Sequence, residues 1–236
     1  MPTLVLPTRD VVQATPRTRA ITLDLAGSDF SFAAGQAVFA GLAEGAQRRP
    51  YSIASSPTKA RKDGILELLV QIDDHAPPDP HLERAAPGTL LRIEGPFGTF
   101  RLPTTLSEQY LLLVAGGTGI APLRSMMWET LDNHPDVRVS LVYSARSPDE
   151  FAYRDELTAL ASLGRLDLHL TVTRDGTADW TGTRGRIDEA LTRAALKTTA
   201  TRCMVCGPPA LVDHTIALLT AAGVSRDRIG SEAASL

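Results

Sequence analysis

One stretch constrains this chain more than any other: Gly116-Gly117-Thr118-Gly119-Ile120-Ala121-Pro122. The apolar run Tyr110-Leu111-Leu112-Leu113-Val114-Ala115 leads into it, and Ile120, Leu123, Met127 and Leu131 recur behind it on one helical face. That order is strand, tight turn, helix. A strand without polar alternation is buried on both faces, as in a parallel sheet covered by helices. Glycines in the turn let the backbone reverse sharply and approach a ligand closely. The unpaired N–H groups of the helix's first turn make a site for phosphate, and Pro122 suits that turn because its missing N–H costs nothing there. The spacing is G-x-G-x-x-P, not the dinucleotide fingerprint G-x-G-x-x-G. Taken alone, the glycines are also explained by packing.

The 236 residues leave room for two domains, and 43% hydrophobic against 22% charged residues allow a sizeable core. A net charge of -3 and an aromatic content of 5% argue against nucleic acid as a partner. The two cysteines, Cys203 and Cys206, are too few for a disulfide framework or for the four ligands of an iron–sulfur cluster. No metal site is expected. Their C-x-x-C spacing follows a strand-like run instead of opening a helix, which argues against a redox dithiol. No apolar signal segment opens the sequence, and no run reaches the ~20 apolar residues of a membrane span. A soluble, cytoplasmic protein is expected.

The first half reads as short strands with turn signals between them, the pattern of a sandwich or barrel. Val11 to Leu25 gives two extended segments, followed by Gly35 to Phe39, Tyr51 to Ile53, Ile65 to Ile72 and Thr89 to Glu94. Asp73 to Pro80 reads as a surface loop. Beyond Pro103 the rhythm changes to strand–helix alternation, the mark of a parallel α/β sheet. Strands are expected at Leu111 to Ala115, Val137 to Tyr143, Leu166 to Val172 and Cys203 to Val205. Helices are expected from Leu123, over Asp149 to Leu163, Arg186 to Ala195 and Pro209 to Ala222. Arg228 to Leu236 is ambiguous. The boundary falls between Pro103 and Glu108, giving domains 1–105 and 106–236.

Arg49-Pro50-Tyr51-Ser52 is the second informative stretch. Strand alternation puts Arg49 and Tyr51 on one face and Ser52 on the other, unless the backbone bends. An arginine can grip a phosphate through two parallel hydrogen bonds, and a tyrosine offers an apolar plate to a flat ring. Taken alone, the same residues are a surface arginine, a half-buried tyrosine and an ordinary turn.

Together these stretches resemble the ferredoxin–NADP reductase-type flavoprotein family. Arg49-Pro50-Tyr51-Ser52 matches its R-x-Y-[S/T] flavin motif. Phe32-Ala33-Ala34-Gly35-Gln36 looks like its f-x-x-G-Q approach, and Gly95-Pro96-Phe97-Gly98 like its G-P-x-G turn. Gly116 to Pro122 looks like its pyridine-nucleotide loop, and Cys206-Gly207-Pro208-Pro209 like its C-G-P-P nicotinamide loop. All occur in the family's order.

The resemblance implies an N-terminal Greek-key antiparallel β-barrel that holds a flavin, followed by a Rossmann-like parallel α/β nucleotide-binding domain. It also implies roles. Arg49 would bind a flavin phosphate, Tyr51 would lie on the flavin, and Ser52, beside Ile53, would hydrogen-bond near its reactive nitrogen. Ile53 and Gly95 would belong to the same cofactor site. Gly116, Gly117, Thr118 and Gly119, with Pro122, would cradle the NAD(P)H pyrophosphate. Cys206, Gly207 and Pro208 would sit beside the nicotinamide. Glu232 resembles a near-terminal family glutamate that orders the serine and relays protons, so Ser52, Cys206 and Glu232 form the expected catalytic group. Thr173 and Arg174, with Arg146, are candidates for the 2′-phosphate of NADP. NADPH is favoured, with NADH open.

Two departures bear on the flavin. The family's G-x-x-S segment corresponds to Ala76 to Leu82, where Asp79 replaces the serine and prolines remove N–H donors. FAD is expected, with FMN as the alternative. His81 reads as a surface or packing residue. The tail Ala233-Ala234-Ser235-Leu236 lacks the family's capping aromatic. The expected function is an NAD(P)H-dependent flavin reductase that passes electrons to a separate ferredoxin-like protein, as in oxygenase systems. The alternatives are an NAD(P)H:free-flavin reductase and a non-turnover electron-transfer subunit of a larger complex.

Overall fold

The structure is a computed structural model that describes residues 1–72, 82–174 and 180–233. Its first half is an antiparallel sheet. The strands are β1 (Thr3–Thr15), β2 (Thr18–Asp24), β3 (Ala37–Leu42), β4 (Arg49–Ser52), β5 (Ile65–Gln71) and β6 (Leu90–Phe97). Their spatial order is β4-β3-β6-β1-β2-β5. Alternation sends Ile21 and Leu23 of β2 inward beside Leu66 and Leu68 of β5 and Leu91 and Ile93 of β6, and these fully buried residues are the core of this half.

The sheet curls toward a barrel, as the sequence predicts, but is not closed. Its two edges meet at one bridge, Ile53 against Leu68, beside a 2.8 Å bond from Ala54 N–H to the Glu67 carbonyl. The ladder stops there because the chain turns into helix α1 (Pro57–Asp63). Sequence reading passed over this helix, although its signals are present. Ser56 caps its N-terminus, accepting from Lys59 N–H at 3.1 Å, Pro57 opens it, and Gly64 ends it at φ 65°.

The second half is a wholly parallel sheet. It comprises β7 (Tyr110–Gly116), β8 (Arg138–Ala145), β9 (Asp167–Val172), β10 (Thr183–Arg184), β11 (Arg202–Gly207) and β12 (Ile229–Ala233). The helices are α2 (Ile120–Asn133), α3 (Arg154–Ser162), α4 (Glu189–Ala195) and α5 (Pro209–Ala221). As the unbroken apolar run predicts, β7 is buried on both faces. Leu111, Leu113 and Ala115 join one cluster, and Leu112 and Val114 another. The strand order is β10-β9-β8-β7-β11-β12, so the chain reverses direction across the sheet between β7 and β11. Ligands of open α/β sheets bind beyond the carboxyl ends of the strands at such a point.

Two helices start later than periodicity predicts. Phe151 and Ala152, 3% and 1% exposed, plug into the core, and Tyr153 takes φ 60°, so α3 begins only at Arg154. The α4 helix begins after Asp188, whose carboxylate accepts from Leu191 N–H at 2.8 Å. The ambiguous C-terminal stretch is an edge strand, β12, parallel to β11. The loop read at Asp73 to Pro80 lies outside the described residues, as do Asp79, His81 and Ala234 to Leu236.

Candidate active site

The glycine turn sits at the carboxyl end of β7. Gly117 adopts φ 55°, a conformation that disfavours side chains, and Gly117–Gly119 form one 3₁₀ turn before α2. Pro122 is buried in the first turn of α2. Tyr143, fully buried at the end of β8, donates its hydroxyl to the Gly117 carbonyl at 3.0 Å and accepts from Ala152 N–H at 3.3 Å. Burial pushes the Tyr143 phenol well above its ordinary pKa, so it stays protonated and keeps donating. Sequence reading missed this support, because a tyrosine inside an apolar strand carries no local signal of its partner.

The second turn, Cys206-Gly207-Pro208, ends β11 and opens α5. Cys206 pairs in register with Ala115 on one side and with Glu232 on the other. The two turns touch backbone to backbone. A Cβ on Gly207 would meet Gly116 N at 3.0 Å, and one on Gly116 would meet Pro208 Cδ at 3.0 Å. Cys206 is 2% exposed, and burial pushes its thiol up to about 12. Half-burial likewise raises the Glu232 carboxyl, which favours its protonated form. Cys203 lies in the opposite apolar layer from Cys206, so the C-x-x-C pair does not converge on a dithiol.

A cavity of about 540 Å³ opens between these turns and the ends of β8 and β9. Gly116, Gly117, Thr118 and Pro208 line it, with Arg146, Thr173, Arg186 and His214. Arg146, named from the sequence as a candidate for the 2′-phosphate, lines the cavity. Arg174 stands beside it, its N–H bonded to the Arg146 carbonyl at 2.8 Å, but its side chain is not among those lining the cavity. Sequence reading missed Arg186 and His214, which reach the cavity from remote segments. Arg17, from the β1–β2 hairpin, lines its rim and pairs with Glu150 at 3.1 Å.

The other predicted residues lie in the antiparallel half. The edge strand β4 presents Arg49, Tyr51 and Ser52, all half-buried, and Ile53 follows in the core. Arg49 makes no ion pair among the described residues. Gln36 ties two of the predicted segments together, accepting from Ala33 N–H at 2.8 Å and donating to the Gly98 carbonyl at 3.3 Å. Gly95, at φ 152°, lies against Val38, where a Cβ would come within 3.0 Å of its Cγ1.

Helix α2 joins the halves. Arg124, 3% exposed, donates to the Ala54 carbonyl at 2.9 Å and to Glu67 at 3.0 Å, and makes a forked pair with Glu156 at 2.8 and 2.6 Å. Its guanidinium lies 4.2 Å from the centre of the Tyr153 ring. Ser125 donates to the Ser55 carbonyl at 2.7 Å, and Glu129 accepts from Thr58 N–H at 3.0 Å. Met126 packs against Gly35 so closely that a Cβ there would collide with it.

These features have counterparts in known proteins. Residues 4–102 match the oxidoreductase FAD-binding domain, and residues 113–216 match the oxidoreductase NAD-binding domain. A ferredoxin–NADP reductase B of Sorangium cellulosum is 36% identical over 165 residues, which are 68% of this chain and 65% of that protein. An NADH-cytochrome b5 reductase-like protein of Arabidopsis thaliana is 31% identical over 170 residues, 70% of this chain and 50% of that protein. The chain thus spans from half to about two thirds of the length of these relatives. The solved ferredoxin NADP+ reductase of Neisseria gonorrhoeae, described with bound FAD and NADP, superposes with a TM-score of 0.80 at 23% identity, covering 98% of both chains. No helix among the described residues is long and apolar enough to cross a membrane. With an FAD-binding domain and an NAD-binding domain in this order and in this fold, the chain belongs to the ferredoxin–NADP reductase-type family of flavoprotein oxidoreductases.

Proposed function

We propose that this chain is an NAD(P)H-dependent flavin reductase whose residues 1–105 hold FAD and whose residues 106–236 take the pyridine nucleotide. Its electrons go to a separate ferredoxin-like protein. The observation that carries this reading is the meeting of the Gly116–Gly119 and Cys206–Pro208 turns at the switch point of the parallel sheet, beside a cavity of about 540 Å³. The residues fit both groups. The backbone of Gly116, Gly117 and Thr118, which line the cavity, suits a pyrophosphate, and Arg146 and Arg186 supply cations at the same cavity. Arg49 supplies one on the flavin side.

Bound FAD supplies the two-electron acceptor for the nicotinamide hydride and the one-electron donor for the partner. The chain's own residues do the positioning, which is worth roughly 7–11 kcal/mol of a barrier in favourable cases. Arg49 holds a flavin phosphate, Tyr51 gives its ring an apolar plate, and Ser52 donates a hydrogen bond at the edge of the ring. Cys206 presents a neutral, buried thiol that packs beside the nicotinamide and excludes water. Glu232, in register with Cys206, brings a carboxyl that relays protons close to that point. Arg146 and Thr173 favour NADPH through its 2′-phosphate. The ferredoxin-like acceptor is supported by the ferredoxin–NADP reductase among the relatives.

An anaerobic absorbance titration tests the proposal. The purified protein is loaded with FAD and then given NADH or NADPH in separate samples. Bound-flavin bands that bleach are the expected result, more readily with NADPH. A protein that binds no flavin, or binds it and is reduced by neither nucleotide, overturns the reading.

A further inference from the structure

Helix α2 begins on the glycine turn, and within about 8 Å of helix, five residues beyond Gly119, it reaches Arg124. There Arg124 and Ser125 hold the carbonyls of Ala54 and Ser55. Those carbonyls lie two and three residues beyond Ser52, the last residue of β4. The backbone that presents Arg49 to Ser52 and the backbone that presents Gly116 to Gly119 are therefore joined across the interface by two adjacent side chains. Arg124 is also committed to Glu67 on β5 and to Glu156 on α3. Its planar fork satisfies two carboxylates and a carbonyl together only in one mutual placement of these elements. Tyr153, whose backbone takes the strained φ of 60°, closes the last side of the guanidinium.

A buried cation between two carboxylates is a weak source of net stability, because desolvation offsets the attraction and an apolar cluster of the same volume would hold as well. What it brings is a directional constraint. We infer that Arg124 and Ser125 are positioning residues, fixing the distance between the pyridine-nucleotide turn and the flavin strand and thereby the rate of hydride transfer. This rests on the reductase reading above. A misplacement of about 1 Å at reacting atoms can cost on the order of 100-fold in rate.

Arg124→Lys and Ser125→Ala separate this from a purely stabilising role. Each FAD-loaded variant is mixed anaerobically with increasing NADPH or NADH, and the bleaching of bound flavin is followed by stopped flow. The limiting reduction rate should fall by about 10–100-fold in Arg124→Lys and about 3–10-fold in Ser125→Ala. Flavin content and the half-saturating nucleotide concentration should stay within about threefold of the unaltered protein, because neither side chain lines the cavity. The long-wavelength band of stacked nicotinamide and flavin should weaken in parallel. A stabilising role alone would lower the melting temperature and leave the limiting rate within twofold, and that result overturns the inference. Ser125→Ala keeps every charge paired, so it decides between the two roles if Arg124→Lys does not fold. If the unaltered protein is reduced by neither nucleotide, the reductase reading falls and this inference with it. If it is reduced at a rate that both variants match, this inference alone falls.

Discussion

Gly119 and the carbonyl oxygen of Cys206 lie so close that no side chain fits between them. A Cβ on Gly119 would also meet Gly207 N at 2.8 Å. The backbone of Gly119 itself, at φ -59° and ψ -10°, accepts any residue, so its glycine is required by the neighbouring turn and not by its own conformation.

Gly119→Ala should therefore act through collision. Overpacking a site of this kind costs about 1–3 kcal/mol, and here the strain must push the nucleotide turn away from the Cys206 turn. NAD(P)H binding, read from equilibrium titration, should weaken at least tenfold, while FAD content stays unchanged. Equal nucleotide affinity in the two proteins would mean that the turns separate freely and do not form one site.

The two cysteines should be inert in the folded protein. Burial pushes each thiol up to about 12, against an ordinary value near 9. Alkylation followed by mass spectrometry at pH 8 should leave Cys203 and Cys206 unlabelled until denaturant is added. The same shift has a sign for stability. A raised folded-state pKa contributes stability that is intact below about 9 and is lost as pH climbs toward about 12, because only the unfolded chain readily gives up these protons. Rapid labelling of Cys206 at pH 8 would show a thiolate at the site and remove its assignment as a neutral packing group.

Glu156 should govern stability on the acid side. Burial opposes its ionisation, but the Arg124 hydrogen bond and charge, with the Trp128 N–H at 3.0 Å, outweigh burial and hold its carboxyl below the ordinary 4.5. A lowered folded-state pKa contributes stability that is present above 4.5 and is lost as pH falls through the folded value. Glu156→Gln should cost about 2 kcal/mol at pH 7, the usual loss of a hydrogen bond to a charged group. It should also flatten the decline in stability below pH 4.5. Urea unfolding curves for the two proteins that stay parallel through the acid range would remove Glu156 from this role.

Much of this was legible in the sequence because the signals are local. The apolar run of β7, the glycines after it and the proline opening α5 each report a geometry that adjacent residues enforce. The RPYS stretch is a strand, β4, as the sequence reading has it. What sequence reading missed lies between segments distant along the chain. Arg124 meets Ala54, Glu67 and Glu156 across separations of 70, 57 and 32 residues, and nothing in its own helix marks it as buried. The open seam of the barrel arises likewise from tertiary placement, since α1 leaves the sheet before β4 and β5 can form a ladder. The delayed start of α3 follows from Phe151 stacking edge-on against Tyr143 at 5.1 Å, a contact that overrides the helical periodicity of the segment.

Coenzyme choice should rest on Arg146 more than on Arg174. Both stand at the carboxyl edge of neighbouring strands, and their backbones are joined by the bond from Arg174 N–H to the Arg146 carbonyl. Only Arg146 lines the cavity, where Thr173 and Arg186 accompany it. A hydrogen bond between an arginine and a phosphate is worth about 1.5–3 kcal/mol, or roughly 10–100-fold in affinity. Arg146→Ala should therefore raise the Michaelis constant for NADPH by about that factor and change the constant for NADH less than threefold. Arg174→Ala should act in the same direction but more weakly, as a charge beside the cavity instead of a wall of it. Steady-state assays with both nucleotides and a one-electron acceptor such as ferricyanide measure the four ratios. Equal losses with NADH and NADPH in Arg146→Ala would assign that side chain to the pyrophosphate common to both, and the preference for NADPH would then have to come from Arg186 or be absent.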